Sequence, residues 1–133
     1  MSPNALVHAL VVDDDDVQHL MMIALLEQIG LKHYYLVKSG EEALAKLRAE
    51  LFHVVLTDNQ MPGMTGRDLI AEIRRDPLLR HLKVAMISSD LEVGGPENQD
   101  LQDFLWRHNV LAVPKKNLDA AKVARTISTL VRF

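Results

Sequence analysis

Short apolar runs alternate with longer stretches of helical spacing along this 133-residue chain. The runs are four to eight residues long and rich in β-branched side chains, which is typical of buried strands. In the stretches between them, apolar residues recur at steps of three and four, which is typical of amphipathic helices. We therefore predict five strands alternating with five helices, with the strands at 5–12, 34–37, 53–57, 83–88 and 110–113.

The predicted helices have recognisable ends. Asp15 and Asp16 suit the start of the first helix, as an N-cap and a first-turn charge, and Gly30 suits a left-handed cap at its end. Apolar residues recur along one face of this helix, at Val17, Leu20, Met21, Ala24 and Ile29. The other helices are predicted at 41–51, 66–76, 96–108 and 118–131, the last with Asn117 as its N-cap.

The alternation predicts an α/β fold with a parallel sheet. Parallel strands need crossover connections, which are right-handed in nearly all proteins, and helices must cover both faces of the sheet. The predicted architecture is an open three-layer α/β/α sandwich, which is flavodoxin-like if the strand order is 2-1-3-4-5. No internal repeat or long linker divides the sequence, so we predict one domain over residues 1–133, with its core at about 6–131.

Composition excludes several kinds of function. The absence of cysteine excludes a disulfide scaffold, a zinc–thiolate site and a cysteine nucleophile. The net charge of −3 provides no broad basic surface for nucleic acid or an anionic membrane. The six histidines have no metal-ligand spacing, so we expect structural or surface roles for them. The first residues lack a basic leader and a long apolar segment, so we expect a cytoplasmic protein without membrane spans.

Polar side chains follow four of the five predicted strands. Ligands bind such sheets at the carboxyl ends of the strands, where the strand order reverses. With the order 2-1-3-4-5, Asp13 and Asp14 would face Asp58 across that point, and Ser88 and Lys115 would follow the neighbouring strands. Three carboxylates this close repel one another by on the order of a few kcal/mol per pair. We expect a positive group to offset that repulsion.

An all-oxygen cluster of carboxylates favours a hard divalent cation. Mg²⁺ in particular binds through one or two carboxylates together with phosphate oxygens. A lysine and a small hydroxyl at the same edge would supply a charge and a hydrogen-bond donor to a phosphoryl group in transfer. In "VVLTDNQMPGMTG", Asp58 stands alone after its strand and precedes a turn with one proline and two glycines. Asp58 is therefore the best-placed nucleophile for phosphoryl chemistry on a carboxylate.

Four segments together resemble the motifs of the response regulator receiver (CheY-like) domain of bacterial two-component signalling: "LVVDDDD", "VVLTDNQMPGMTG", "VAMISSD" and "VPKK". The resemblance extends over nearly the whole chain and implies five strands in the order 2-1-3-4-5 with five helices. It implies that Asp58 accepts the phosphoryl group, that Asp14 binds Mg²⁺ directly and that Asp13 binds it mainly through water. The main-chain carbonyl of Gln60 would complete the metal ligands.

The resemblance also assigns the remaining site residues and the partners. Ser88 corresponds to the Ser/Thr that hydrogen-bonds the phosphoryl group, and Lys115 to the lysine that pairs with it. Mn²⁺ could replace Mg²⁺. The phosphoryl donor would be a phosphohistidine of a sensor histidine kinase or a phosphotransfer protein, and the output would be binding to a downstream protein, without direct contact to nucleic acid or membrane. Such a chain is a phosphoacceptor signalling domain that catalyses only its own phosphotransfer and dephosphorylation.

Departures from the family pattern leave an alternative open. Ala112 stands three positions before the lysine, where the family usually has an aromatic switch residue, and Lys116 stands where the family has a proline. A phosphorylation-independent, receiver-like interaction module is therefore the second interpretation. An aspartyl phosphohydrolase is disfavoured because it needs a second aspartate two residues after the nucleophile, where this chain has Gln60.

Overall fold

The computed structural model describes residues 3–92 and 94–132. These residues contain one sheet of five parallel strands in the order β2-β1-β3-β4-β5, which confirms the predicted order. The strands are β1 (His8–Val12), β2 (His33–Val37), β3 (Val54–Thr57), β4 (Lys83–Ser88) and β5 (Leu111–Pro114).

Five α-helices cover the two faces of this sheet. They are α1 (Asp16–Gln28), α2 (Gly40–Ala49), α3 (Gly66–Arg75), α4 (Pro96–Arg107) and α5 (Ala120–Leu130), and short 3₁₀ helices lie at Pro3–Leu6 and Ser89–Leu91. Residues of α1 and α5 pack on one face, and residues of α2, α3 and α4 pack on the other. The fold is thus the predicted flavodoxin-like three-layer α/β/α sandwich. Among the helices described, none is long and apolar enough to cross a lipid bilayer.

The central strand β1 explains why the apolar runs are continuous. Leu10 and Val12 belong to the hydrophobic cluster on one face of the sheet, and Ala9 and Val11 belong to the cluster on the other face. Successive side chains of a strand point to opposite faces, so a strand that helices cover on both sides must be apolar at every position. Burial of each large side chain contributes about 1.5–3 kcal/mol to folding.

The ends of α1 confirm two predicted caps. The Asp15 carboxylate accepts a hydrogen bond from the main-chain N–H of Val17 at 2.9 Å, so Asp15 is the N-cap. At the other end Gly30 has a φ of 85°, and the N–H of Leu31 donates to the carbonyl of Leu26 at 2.9 Å. Glycine adopts this left-handed conformation without the steric cost that a side chain brings.

The predicted apolar face of α1 is wrong. Val17 and Leu20 are 68% and 69% exposed, whereas the buried side chains of the helix are those of His19, Met22 and Leu26. Apolar residues occur on every side of α1, so their spacing alone did not select the side that meets the sheet. The contacts of α1 with the sheet and α5 decide which side is buried.

Two predicted element boundaries are also wrong. The first strand begins at His8 rather than at residue 5, because the residues before it form a 3₁₀ helix. The last helix begins at Ala120, where the Asp119 carboxylate accepts a hydrogen bond from the N–H of Lys122 at 2.9 Å. Asn117, the predicted N-cap, instead has a φ of 58° in the turn before the helix. Asparagine tolerates this conformation better than most residues with a side chain.

Three of the histidines meet at the amino-terminal edge of the sheet, a contact that the sequence spacing did not predict. His8 and His33 are directly paired in the register of β1 and β2, and their rings stack with centroids 4.3 Å apart. The Nδ1 of His53 accepts a hydrogen bond from the N–H of His8 at 2.9 Å. Burial lowers the pKa of His8, and the neighbouring His33 and His53 lower it further.

Candidate functional site

Three carboxylates gather at the carboxyl-terminal edge of the sheet. Asp13 and Asp14 follow β1, and Asp58 follows β3, which pairs with β1. The N–H of Asp58 donates to the carbonyl of Val12 at 3.0 Å, which continues the β1–β3 pairing to the site. As a result, one carboxylate oxygen from each aspartate lies within 4.8 Å of the other two. The structure thus brings together the three acidic residues that the sequence predicted.

Main-chain donors hold two of these carboxylates in place. The Asp13 Oδ1 accepts a hydrogen bond from the N–H of Asp15 at 3.0 Å, and the Asp58 Oδ1 accepts one from the N–H of Asn59 at 2.7 Å. The side chains of Asp13 and Asp58 are nearly buried, whereas Asp14 is exposed. The cluster therefore has a fixed inner part and an open side at Asp14.

Lys115 is the lysine that reaches the carboxylates. Its Nζ lies 3.4 Å from the Asp58 Oδ2 and 3.7 Å from the Asp13 Oδ2. The β4–β5 pairing positions it, because the Lys115 N–H donates to the carbonyl of Ser88 at 3.3 Å just beyond the two strands. The next residue, Lys116, is exposed. Of the two lysines, Lys115 is therefore the one that contacts the carboxylates, and its role in the site stays a prediction.

The cluster carries more negative charge than its neighbours offset. Burial raises the pKa of the Asp13 carboxyl above its usual value, and the charges of Asp58 and Asp14 raise it further. The Asp15 N–H and the Lys115 ammonium act in the opposite direction without cancelling the effect. A raised pKa means that the ionised carboxylate is unfavourable here, so the site favours an additional positive charge.

The donor set fits a small, hard cation. A small cavity of about 10 Å³ reaches Asp13, Asp58 and Lys115, but most of its other lining residues are apolar and Asp14 does not line it, so the fit rests on the donor atoms. All the ligand atoms in the cluster are carboxylate oxygens, the donors that Mg²⁺, Ca²⁺ and Mn²⁺ prefer. The exposed side at Asp14 leaves room for the water or phosphate oxygens that Mg²⁺ retains in its coordination shell.

Ser88 is completely buried at the end of β4. Its Oγ accepts a hydrogen bond from the N–H of Asp90 at 3.1 Å, which starts the 3₁₀ turn after the strand. Because β4 pairs with β3, the position of Ser88 beyond the pairing of Thr57 with Met86 brings it to the edge that carries Asp58. The predicted hydroxyl therefore lies at the same edge of the sheet as the carboxylates.

Asp90 is a residue near the site that the sequence reasoning missed. Its Oδ2 accepts hydrogen bonds from the Asn59 Nδ2 and the Gln60 Nε2, each at 2.9 Å. The two residues after Asp58 are thus attached to the loop that follows Ser88. Gln60 and Asp90 each lie two positions after a predicted site residue, but this spacing alone does not indicate that they touch. The predicted role of the Gln60 carbonyl as a metal ligand stays a prediction.

The parallel sheet and the acidic cluster at its carboxyl-terminal edge define a flavodoxin-like α/β protein with a candidate cation site, and comparison with known proteins identifies its family. The sequence profile of the response regulator receiver domain matches residues 9–98. The chain therefore belongs to the receiver domain family of response regulators, as the resemblance implied.

Individual relatives agree with this assignment. The chemotaxis protein CheY of Pseudomonas aeruginosa is 36% identical over 81 residues, which cover 61% of this chain and 65% of that protein. The matched segment thus spans a little less than two thirds of that curated relative. The solved structure of the chemotaxis response regulator CheY4 of Vibrio cholerae has a TM-score of 0.78 at 21% identity, covering 94% of this chain and 98% of that one.

A second solved structure was determined as a complex with ligands. The response regulator TrrA of Thermotoga maritima, determined in complex with Mg²⁺ and BeF, has a TM-score of 0.76 at 24% identity. The alignment covers 95% of this chain and 100% of TrrA. At this identity the likeness establishes the fold alone.

Proposed function

We propose that this protein is a phosphorylation-controlled switch. In this proposal Asp58 accepts a phosphoryl group from a phosphohistidine of a sensor histidine kinase or a phosphotransfer protein, in the cytoplasm. The observation that carries the proposal is the position of Lys115, whose Nζ lies 3.4 Å from Asp58 within a cluster of three carboxylates. A carboxylate nucleophile beside a fixed cation and a metal-binding set of oxygens is the arrangement that phosphoryl transfer requires.

The proposed step uses the two oxygens of Asp58 differently. Oδ1 accepts the Asn59 N–H, whereas Oδ2 faces the Lys115 ammonium. In the transfer, an oxygen of Asp58 forms a bond to phosphorus while the bond from phosphorus to the histidine nitrogen breaks. Lys115 then offsets the charge of the phosphoryl oxygens. The Ser88 Oγ accepts the Asp90 N–H, so its hydroxyl hydrogen is available to the phosphoryl group.

The metal belongs to the same proposal. Asp13, Asp14 and Asp58 would hold Mg²⁺, with the main-chain carbonyl of Gln60 as a further ligand. A bound Mg²⁺ supplies the positive charge that offsets the carboxylates and the phosphoryl oxygens, and Mn²⁺ accepts the same donors. The raised pKa of Asp13, which results first from burial and further from the charges of Asp58 and Asp14, supports the proposal because a bound cation would favour the ionised carboxylate.

The output of the proposed switch is protein binding. Ala112 lines an open groove of about 730 Å³ formed by residues of α4, β5 and α5, and Trp106 beside it is 85% exposed. We propose that a downstream protein target binds this surface. Ala112 also supports the second candidate function, a phosphate-independent interaction module, because a methyl group has no rotamers with which to report the state of Asp58.

Intact mass after incubation with Mg²⁺ and acetyl phosphate tests the proposal. The wild type should gain one phosphoryl group, and Asp58→Asn should gain none. Omission of Mg²⁺ should prevent the gain in the wild type. If the wild type gains no phosphoryl group although Mg²⁺ raises its thermal stability, the phosphate-independent module replaces the switch. Full labelling of Asp58→Asn would show that the phosphoacceptor is another residue.

A further inference from the structure

A basic cleft lies away from the acidic site, at the amino-terminal ends of β4 and β5. It has a volume of about 470 Å³. Six side chains that carry or can carry positive charge line it, and they are Arg74, Arg80, His81, Lys83, Arg107 and His108. Within the described part of the chain, no acidic residue lines this cleft. In a protein with a net charge of −3, such a local excess of cations needs an explanation.

Strand β4 separates the basic cleft from the acidic site. Lys83 is the first residue of β4 and Ser88 is the last. Five steps of about 3.3 Å each place their Cα atoms about 17 Å apart. A ligand in the basic cleft would therefore bind without contact to the carboxylates, and the two sites can be tested separately.

Arg74 forms the floor of the cleft. Its Nε donates to the carbonyl of His108 at 2.8 Å, and its Nη1 donates to the carbonyls of Arg80 and Leu82 at 2.9 and 2.7 Å. Its Nη2 lies 3.4 Å from the carbonyl of Asn109. All these acceptors are neutral, so the hydrogen bonds fix the half-buried guanidinium without offsetting its charge. Burial lowers the pKa of Arg74, but a guanidinium stays protonated in proteins.

In the described chain, the other arginines and the lysine of the cleft have no carboxylate within salt-bridge distance, although Asp76 interacts with Arg80 from farther away. Elsewhere arginines form ion pairs, such as Arg48 with Asp76 at 3.2 Å and Arg67 with Asp100 at 2.9 Å. Across residues 3–92 and 94–132, by contrast, the four cleft residues Arg74, Arg80, Lys83 and Arg107 form no salt bridge. The chain therefore leaves this charge available to a ligand.

Several positive charges act on His108 in the cleft. Burial lowers the pKa of His108, and the charges of Arg107, Arg74 and Arg67 lower it further. Arg107 lies at the end of α4, and Arg67 and Arg74 lie on α3, so the three charges act on His108 from two helices. Charges that converge on a concave surface bind anions more strongly than charges spread over a flat surface.

We propose that the basic cleft binds a small ligand that carries phosphate groups. Guanidinium groups match the geometry of phosphate oxygens, and several cations around one cavity match a ligand with more than one negative charge. The volume of about 470 Å³ lies in the range of small-molecule sites. Of the described residues that line the cleft, only Leu82 is apolar. Polar contacts, rather than apolar ones, therefore determine which ligand binds.

Calorimetric titration with inorganic pyrophosphate and with ATP tests this proposal. The buffer contains EDTA and little salt, so that no divalent cation draws the anions to the carboxylates. Both probes should bind at one site, with a dissociation constant of about 1 mM or lower. Lys83→Glu and Arg107→Glu should each weaken binding about tenfold or more, and Lys83→Gln and Arg107→Gln should weaken it less.

Lys32→Glu is the matched control. Lys32 is exposed just before β2, at the same end of the sheet but three strands from β4, a lateral distance of about 14 Å. Lys32→Glu changes the net charge by the same amount as Lys83→Glu or Arg107→Glu, and it should leave binding of the phosphate probes unchanged. An equal loss of affinity in this control would overturn the proposal, because it would indicate diffuse attraction. Equal or tighter binding of a hexaglutamate peptide, or no binding of either phosphate probe, would also overturn it.

Discussion

Gly66, the first residue of α3, packs directly against the main chain of Asp58, the predicted phosphoacceptor. A Cβ atom at this position would overlap the carbonyl oxygen of Asp58 and lie 2.9 Å from the Cα of Asn59. The N–H of Gly66 also donates to the carbonyl of Asn59 at 2.9 Å. The loop after Asp58 thus folds back on the start of α3, and only a residue without a side chain permits this contact.

We predict that Gly66→Ala destabilises the protein by about 1–3 kcal/mol, because the loop at Asp58 must shift to admit the methyl group. Chemical denaturation measures the change. Gly94→Ala is the control, since a Cβ atom there meets nothing within 4 Å, and it should change stability by less than about 0.5 kcal/mol. Equal effects of the two substitutions would contradict the role of the close contact.

Asp13→Asn should stabilise the protein in the absence of divalent cations. The folded pKa of Asp13 is raised, so ionisation of the carboxyl at neutral pH costs folding free energy. This cost appears as the pH rises through the ordinary value of 3.8 towards the folded pKa. We expect a gain of about 1 kcal/mol, after allowance for solvent screening at the open side of the cluster.

The same substitution should remove the effect of Mg²⁺. Millimolar Mg²⁺ should raise the melting temperature of the wild type by mass action on the folded state, and should raise that of Asp13→Asn much less. Glu27→Gln, an exposed change of equal charge on α1, should keep the full response to Mg²⁺. A wild type that does not respond to Mg²⁺ would contradict the metal site.

Lys115→Met should slow phosphorylation of Asp58 by roughly tenfold to a hundredfold, because the Asp58 Oδ2 loses the cation at 3.4 Å. In EDTA it should also lower stability by about 1–2 kcal/mol, because the carboxylates lose the charge between them. The time course of labelling by acetyl phosphate measures the rate. Lys116→Met should be phosphorylated at the rate of the wild type. If Lys116→Met is slowed and Lys115→Met is not, the site lysine is Lys116.

His8→Asn should reduce the loss of stability on acidification. The folded pKa of His8 lies below its ordinary value of 6.5, so the unfolded chain binds the proton more readily. The contribution of neutral His8 is therefore fully present above pH 6.5 and is lost as the pH falls through that value. The free energy of unfolding in urea should differ less between pH 7.5 and pH 5.5 in His8→Asn than in the wild type.

The expected change in that difference is less than about 1 kcal/mol, because solvent screens exposed imidazoles. His8→Asn keeps the main-chain N–H that donates to His53, so the local strand pairing should persist. If His8→Asn and the wild type lose the same free energy of unfolding between the two pH values, the stacking of His8 on His33 has no electrostatic cost.

The alternation of strands and helices was predictable from simple sequence patterns, whereas the strand order came from the family resemblance. Helices cover both faces of the sheet, so each buried strand is a continuous apolar run. Parallel strands end at one edge, and with β1 next to β3 this rule brings Asp13, which follows β1, together with Asp58, which follows β3. The choice of Lys115 and Ser88 needed the family motifs as well, because single polar residues after strands are common.

The remaining features depend on contacts that sequence spacing does not contain. The buried side of α1 follows from packing on the sheet and α5, since its apolar residues occur on every side. The meeting of His8, His33 and His53 follows from the register of three strands that are distant in sequence. The attachment of Gln60 to Asp90 requires the path of two loops. The pattern of hydrophobic residues determines none of these.

The acidic site and the basic cleft at opposite ends of β4 form a local charge dipole along the strand direction. A partner whose surface is positive near its phosphoryl donor would exert a torque on this dipole and turn the carboxylates towards itself before contact. Productive collisions then become more frequent than random orientation allows, and added salt reduces the advantage. The net charge of −3 alone therefore does not describe the field that such a partner would meet.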